Sequence, residues 1–281
     1  MLSRYSELTG AGQVVPTDAD LEAAVAQNSM SAVFAILAEW QHSTRVLDDR
    51  GLVPSTLTTT ALLSAVENAR SDIVSLLLAV SCDSTLPVLQ ALQVGSIKNF
   101  EAFLWNGWDI NEPVERDEPS ALGYAIQNSE LVAWFLAQGA DPNAGHQHDT
   151  ALSRAVLAGT FDVIEMLLAH GADVQRGDVL HWAIEREDQA CEVVEMLLER
   201  GADPNHIRFN GFEPQWSVFG AKDALGTPLH RAVTLGRLDV VSKLLQHGAD
   251  RNKRDTLGRT AMEIAEEKCN TAAVEVITKV S

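Results

Sequence analysis

Cysteine is scarce in this chain. Its 281 residues hold three, Cys82, Cys191 and Cys269. An odd number at wide spacing makes neither a disulfide framework nor a zinc site, and small buried apolar side chains are the expected role. Aromatic residues make up 6% of the chain. No Asn-x-Ser/Thr acceptor occurs. The start, Met1-Leu2-Ser3-Arg4-Tyr5-Ser6-Glu7, lacks the apolar run of a secretory signal. The longest apolar stretches, such as Leu76-Leu77-Leu78-Ala79-Val80, are far too short to span a bilayer. These absences exclude a secreted disulfide scaffold and fit a cytoplasmic or nuclear protein.

Catalytic signatures are missing as well. There is no Gly-x-Ser-x-Gly, no phosphate-binding Gly-Lys-Ser/Thr loop and no His-Glu-x-x-His. Gly10-x-Gly12 lacks a third glycine and a preceding strand, so it is no dinucleotide site. His146-x-His148-Asp149 carries metal-ligating side chains, but without the spacing of a third ligand. No enzyme activity, catalytic residue, metal or cofactor is therefore expected.

Positive charge is the last shortage. Lys and Arg number 21 against 39 Asp and Glu, a net charge of −18. The imbalance is uneven: residues 1–221 carry −20 and residues 222–281 carry +2. Such an acidic body repels nucleic acid and anionic membranes and favours basic partners. The plainer alternative is that the charge serves solubility alone.

What the chain does have is a repeat. Its clearest copy runs Gly226-Thr227-Pro228-Leu229-His230-Arg231-Ala232 and ends at Gly248-Ala249-Asp250-Arg251-Asn252. Equivalents of Leu229 are Leu21, Leu62, Val88, Leu122, Leu152, Leu180 and Met262. The spacings are 41, 26, 34, 30, 28, 49 and 33 residues. Three residues beyond each marker stands an alanine: Ala24, Ala65, Ala91, Ala125, Ala155, Ala183, Ala232 and Ala265. A Gly-x-Asp-x-Asn/Gln ending recurs at Gly107, Gly139, Gly171, Gly201 and Gly248.

Each of these residues has a physical task. The Thr150 and Thr227 hydroxyls cap a first helix, and Pro228 suits its first position. The alanine is small because the neighbouring repeat packs closely on it. Gly95, Gly159 and Gly236 are expected in the left-handed conformation between two helices. The spacing Val163-Ile164-x-x-Leu167-Leu168 gives the second helix its apolar face, and the glycine of the ending terminates it.

The Thr-Pro-Leu-His-x-Ala run at Thr227–Ala232, repeated in phase, resembles the ankyrin-repeat family. The resemblance implies an all-α solenoid of helix–turn–helix units with hairpin-like connections, about eight of them. Units 21–40 and 260–280 lack parts of the motif and read as end caps. The repeats occupy residues 17–281, after a loose leader at 1–16. No appended domain fits in what is left. Residues 41–59 lengthen the first connection. A larger insertion falls at 206–226, where Phe209, Phe212, Trp216 and Phe219 crowd into 21 residues. It is either an Ω-like loop folded onto its own repeats or a hydrophobic contact over the groove.

The resemblance further implies protein binding on a concave face built from first-helix ends and hairpin tips. By position that face holds Gln93, Val94, Gln127, Asn128, Leu157, Ala158, Glu185, Arg186, Thr234 and Leu235. Trp182 is the aromatic anchor within it. The tips bring Glu112, Glu115, Asp117, Glu118, His146, His148 and Asp149. The four acids of the 112–118 tip are expected to clamp a basic protein segment, or else form a solvated turn; Phe212 and Trp216 contribute from the insertion. His181 and His230, at the signature histidine position, are expected to hydrogen-bond within the repeats. The expected function is a monomeric scaffold or adaptor for a basic protein partner. The alternative is a small-molecule or enzymatic site roofed by residues 206–226, lined by Trp182, Trp216, His148, Asp149 and Glu185.

Overall fold

A computed structural model describes residues 15–42, 53, 55–80, 87–114, 118–145, 147–209 and 224–279. Most of the leader, the middle of the first connection, Cys82 and Phe219 lie outside them. The chain divides into two compact units, Met1–Ile110 and Asn111–Ser281. The described residues of both are helices joined by turns, the all-α architecture implied by the repeat.

Among its described residues the first unit contains three helix pairs: α1 (Asp18–Ala26) with α2 (Met30–His42), α3 (Ser55–Glu67) with α4 (Ser71–Val80), and α5 (Val88–Val94) with α6 (Ile97–Trp105). First helices pack on first helices, α1 on α3 and α3 on α5, and second helices do the same. Trp40 is fully buried and its Nε1 donates to the carbonyl of Pro16 at 2.7 Å, which pins the chain ahead of α1.

Among its described residues the second unit has five pairs. They are α7 (Ala121–Tyr124) and α8 (Ser129–Ala137), α9 (Ala151–Ala158) and α10 (Phe161–Ala169), and α11 (Val179–Glu185) and α12 (Ala190–Glu199). After the insertion come α13 (Pro228–Leu235) and α14 (Leu238–Gln246), then α15 (Ala261–Glu267) and α16 (Thr271–Lys279). The first helices α7, α9, α11, α13 and α15 stack in that order. All eight repeat alanines are buried, because a larger side chain would separate neighbouring helices.

Local chemistry explains the pairs. Thr150 Oγ1 accepts from the Ser153 amide at 3.1 Å and Ser153 Oγ accepts from the Thr150 amide at 2.9 Å, a reciprocal cap on α9. At the end of α8, the Gly139 amide bonds to Leu136 O at 3.1 Å and Ala140 to Phe135 O at 3.0 Å. That double closure requires the left-handed Gly139, at φ +90°.

Two expectations fail here. Gly95 and Gly236 are left-handed between their helices, but Gly159 is extended, at φ −83°. It is needed for space: a Cβ there would lie 2.9 Å from the backbone of Ala155. The equivalent position is left-handed yet not glycine at Asn28, Ala69 and Cys269. Cys269 is therefore exposed in a turn, and Cys191 is half-buried on α12; neither is the core residue expected.

Candidate partner-binding surface

The hairpin tips of the second unit are held in register by side chains. Asp141 Oδ1 accepts from the Asn143 amide at 2.8 Å, closing the turn two residues on. Asn143 then reaches the next repeat, donating to Gly171 O and accepting from the Asp173 amide, both at 2.8 Å. Asn205 does the same to Gly248 and Asp250. The Gly-x-Asp-x-Asn ending is thus a turn plus a clamp. At the other level, signature histidines join repeats: His230 Nε2 donates to Arg259 O at 3.0 Å and His181 Nε2 to His206 O at 3.1 Å.

First-helix ends are capped by neighbouring side chains, which places several groove candidates. Gln127 is exposed, and its Nε2 donates to Ala158 O, the last carbonyl of α9, at 2.7 Å. Arg186 is not a groove residue but buried: its guanidinium donates to Val156 O at 3.0 Å and Ala155 O at 3.4 Å. The orphan carbonyls of a helix end have drawn the charge inward. Leu157 and Leu235 stand exposed on the ends of α9 and α13.

The acidic candidates are engaged by arginines of the same unit. Arg154 pairs with Glu118 and with Asp149 and stacks on the Tyr124 ring, its guanidinium carbon 4.2 Å from the centroid. The Tyr124 hydroxyl donates to Glu118 at 2.7 Å and, with Arg154, holds that carboxyl below its usual range. Glu185 Oε1 accepts from Arg208 at 2.6 Å and lies 2.9 Å from Arg231. These three acids are not free to clamp a basic segment, since each already holds a guanidinium. Glu115, Asp117, His146, Phe212 and Trp216 lie outside the described residues.

The tip histidine has an unforeseen partner. Asp178 stands where Thr227 stands in the seventh repeat, but its side chain does not cap its helix. The carboxylate is fully buried and accepts from His206 Nε2 at 2.9 Å and His148 Nδ1 at 3.2 Å. The Phe209 amide donates to it as well, at 3.3 Å. Burial pushes the Asp178 carboxyl up, but the His206 hydrogen bond and the surrounding imidazoles outweigh it and hold it below its usual value. The same bond pushes His206 up, while burial drives His181 down to about 4. Among the described residues no group of three or more His, Cys, Asp or Glu could hold a metal ion.

Trp182 faces a cleft of about 590 Å³ that runs from α11 past α13 to α15. The Arg208 guanidinium lies over its ring, 4.3 Å from the centroid, and over Phe209 at 5.0 Å. The neck of the insertion closes beside it, where the Arg208 amide donates to Gly226 O at 3.3 Å. His148, Asp149 and Glu185 are not among the described residues lining this cleft, whereas Trp182 of the expected small-molecule pocket is. Arg154, Asp178, Arg208 and Arg231 were missed in the sequence. Asp178 alone left a signal, an acid at the place of a capping threonine.

Comparisons with known proteins agree with this geometry. The family described as "Ankyrin repeats (3 copies)" matches residues 88–178, and "Ankyrin repeat" matches 178–208 and 226–256, breaking at the insertion. The chain belongs to the ankyrin-repeat family. Palmitoyltransferase ZDHHC13 of Mus musculus is 27% identical over 217 residues, 66% of this chain and 34% of that protein. Putative palmitoyltransferase ZDHHC13 of Danio rerio is 24% identical over 216 residues, 66% of this chain and 33% of the relative. The 2-5A-dependent ribonuclease of Mus musculus is 34% identical over 136 residues, 48% of this chain and 13% of the relative. The chain spans about a third of the length of the palmitoyltransferases it matches. Among the described residues no helix is long and apolar enough to cross a membrane.

Proposed function

We propose that this chain is a protein-interaction scaffold that acts by binding rather than by catalysis. Ankyrin repeats generally mediate protein–protein interaction, and Trp182 is the observation that carries the reading here. A half-buried indole on a first helix, beside an open cleft, is the kind of anchor that dominates interface energy. Exposed Leu157 and Leu235 extend the same row of first-helix ends with apolar surface.

The attraction of a basic partner belongs to this proposal. With Glu118, Asp149 and Glu185 neutralised within the unit, the carboxylates supporting it are those of the second helices. Glu130, Asp162, Glu165 and Glu192 are exposed there, and none has an ion pair among the described residues. A cytoplasmic or nuclear monomer is the corresponding state. The test is affinity capture from cell extract with the wild-type chain and with Trp182→Ala, followed by titration of what is captured at low and high salt. Loss of binding in a folded Trp182→Ala supports the anchor; undiminished binding removes it. A salt-independent affinity removes the basic-partner part.

The cleft favours a second reading, a small molecule held against Trp182. Its volume lies within the range of ligand sites. A fragment that shifts the unfolding temperature of the wild type but not of Trp182→Ala would support it.

A further inference from the structure

The Trp182 cleft differs in charge from the rest of the molecule. Arg208, Arg231, Arg259 and Lys268 line it, in a chain whose net charge is −18. The acids around them are already used. Asp255 is buried and its Oδ2 takes two bonds from Arg259, at 3.0 and 3.1 Å. Arg259 also reaches Glu267 at 3.1 Å. Arg208 and Arg231 converge on one oxygen of Glu185. Two guanidinium charges therefore share one carboxylate, and Lys268 has no ion pair among the described residues.

Donors are left over as well. Nε of Arg208 and Nε of Arg231 are both buried without a hydrogen-bond partner among the described residues. The Trp182 face holds the Arg208 guanidinium in place, so its planar fork is set before any ligand arrives. Neighbouring helices sit ~8–10 Å apart, so a cleft passing three of them is roughly 20 Å long. An extended chain advances ~3.3–3.6 Å per residue, which makes that length about six residues.

We propose that this cleft receives a short extended peptide segment bearing carboxylates, with Arg231 and Lys268 as its charge contacts and Trp182 beneath it. The site is distinct from the acidic second helices, whose attraction for a basic partner is a separate matter. Charge complementarity selects the occupant: a basic segment would meet uncompensated cations, and an uncharged one would leave the excess positive charge of the cleft unbalanced.

The experiment is selection of randomised linear hexapeptides on the full chain, followed by fluorescence anisotropy with the enriched sequences. Asp and Glu are expected to be enriched. Affinity is expected to fall at least tenfold in the double variant Arg231→Gln/Lys268→Gln. It should hold in Asp162→Asn/Glu165→Gln, the pair that tests the basic-partner reading instead. Enrichment of basic or uncharged peptides overturns the proposal. So do no enrichment, acidic peptides that bind the double variant equally well, or complete displacement by inorganic phosphate at equal charge.

Discussion

Asn205 and Gly248 are 43 residues apart in the chain and hydrogen-bonded in space. Asn205 Nδ2 donates to Gly248 O at 3.0 Å, and its Oδ1 accepts from the Asp250 amide at 2.7 Å. The same pair of bonds joins Asn143 to Gly171 and Asp173 across 28 to 30 residues. The insertion therefore leaves the stacking of the sixth and seventh repeats unchanged. The added chain enters and leaves through the Arg208–Gly226 neck.

Asn205→Ala removes both bonds of that clamp. The groups left behind are near the surface, so the expected loss is about 1–2 kcal/mol, on the scale of two ordinary hydrogen bonds. Urea unfolding of Asn205→Ala and Asn143→Ala should give similar midpoints. A much smaller effect at Asn205 would mean that the insertion has weakened the joint.

Arg186 is the residue whose loss should hurt most. It is a buried cation satisfying the carbonyl end of α9, with Asp188 O accepting from its Nε at 2.9 Å. Hydrogen bonds to charged groups contribute ~1.5–3 kcal/mol, and Arg186→Leu leaves the carbonyls buried and unpaired. The expected destabilisation is about 2–4 kcal/mol. Thermal unfolding checks it, and a change below roughly 0.5 kcal/mol would refute the capping role.

Stability should depend on pH through the Asp178 cluster, and the signs differ between its members. His206 is raised above its ordinary 6.5, so its contribution is present below 6.5 and lost as pH rises through the folded value. Asp178 is lowered from 3.8, so its contribution is present above 3.8 and lost as pH falls through the folded value. His181, held neutral down to about 4, acts against the fold as pH drops from 6.5 to 4, because only the unfolded chain accepts the proton. Titration of the imidazole resonances should show His206 above His181. In Asp178→Asn, His206 should move down towards 6.5; an unmoved His206 would contradict the assignment.

One repeat position favours glycine for two different reasons. Cys269 and Ala69 are left-handed, at φ 53° and 51°, where glycine carries no steric penalty. Cys269→Gly and Ala69→Gly should each stabilise by about 0.5–1 kcal/mol. At extended Gly159 an added Cβ strikes backbone, so Gly159→Ala should destabilise by about 1–3 kcal/mol. Chemical denaturation of the three variants decides the signs.

The repeat was open to reading from residues alone because its determinants are local. A threonine cap, an alanine at a helix contact and a glycine after a second helix act within a few residues of one another. Periodicity multiplied that signal, so the all-α architecture and the capped helices followed without coordinates. Trp182 was singled out for the same reason, as a large aromatic at a position defined by the repeat. The charge of the surface was not. Glu118, Asp149 and Glu185 read as available acids because the arginines that occupy them stand 5 to 46 residues away in the chain. Asp178 was not legible as a buried charge because its histidines arrive from the turns on either side, 28 and 30 residues distant. Composition counts charges, whereas pairing depends on which turns the stacking brings together. The repeat, its helices and its terminators are properties of near neighbours and are written in the order of the residues. Which carboxylates are spent, the inward turn of Arg186 and the cations lining the cleft of an acidic protein depend instead on contacts between residues far apart in the chain.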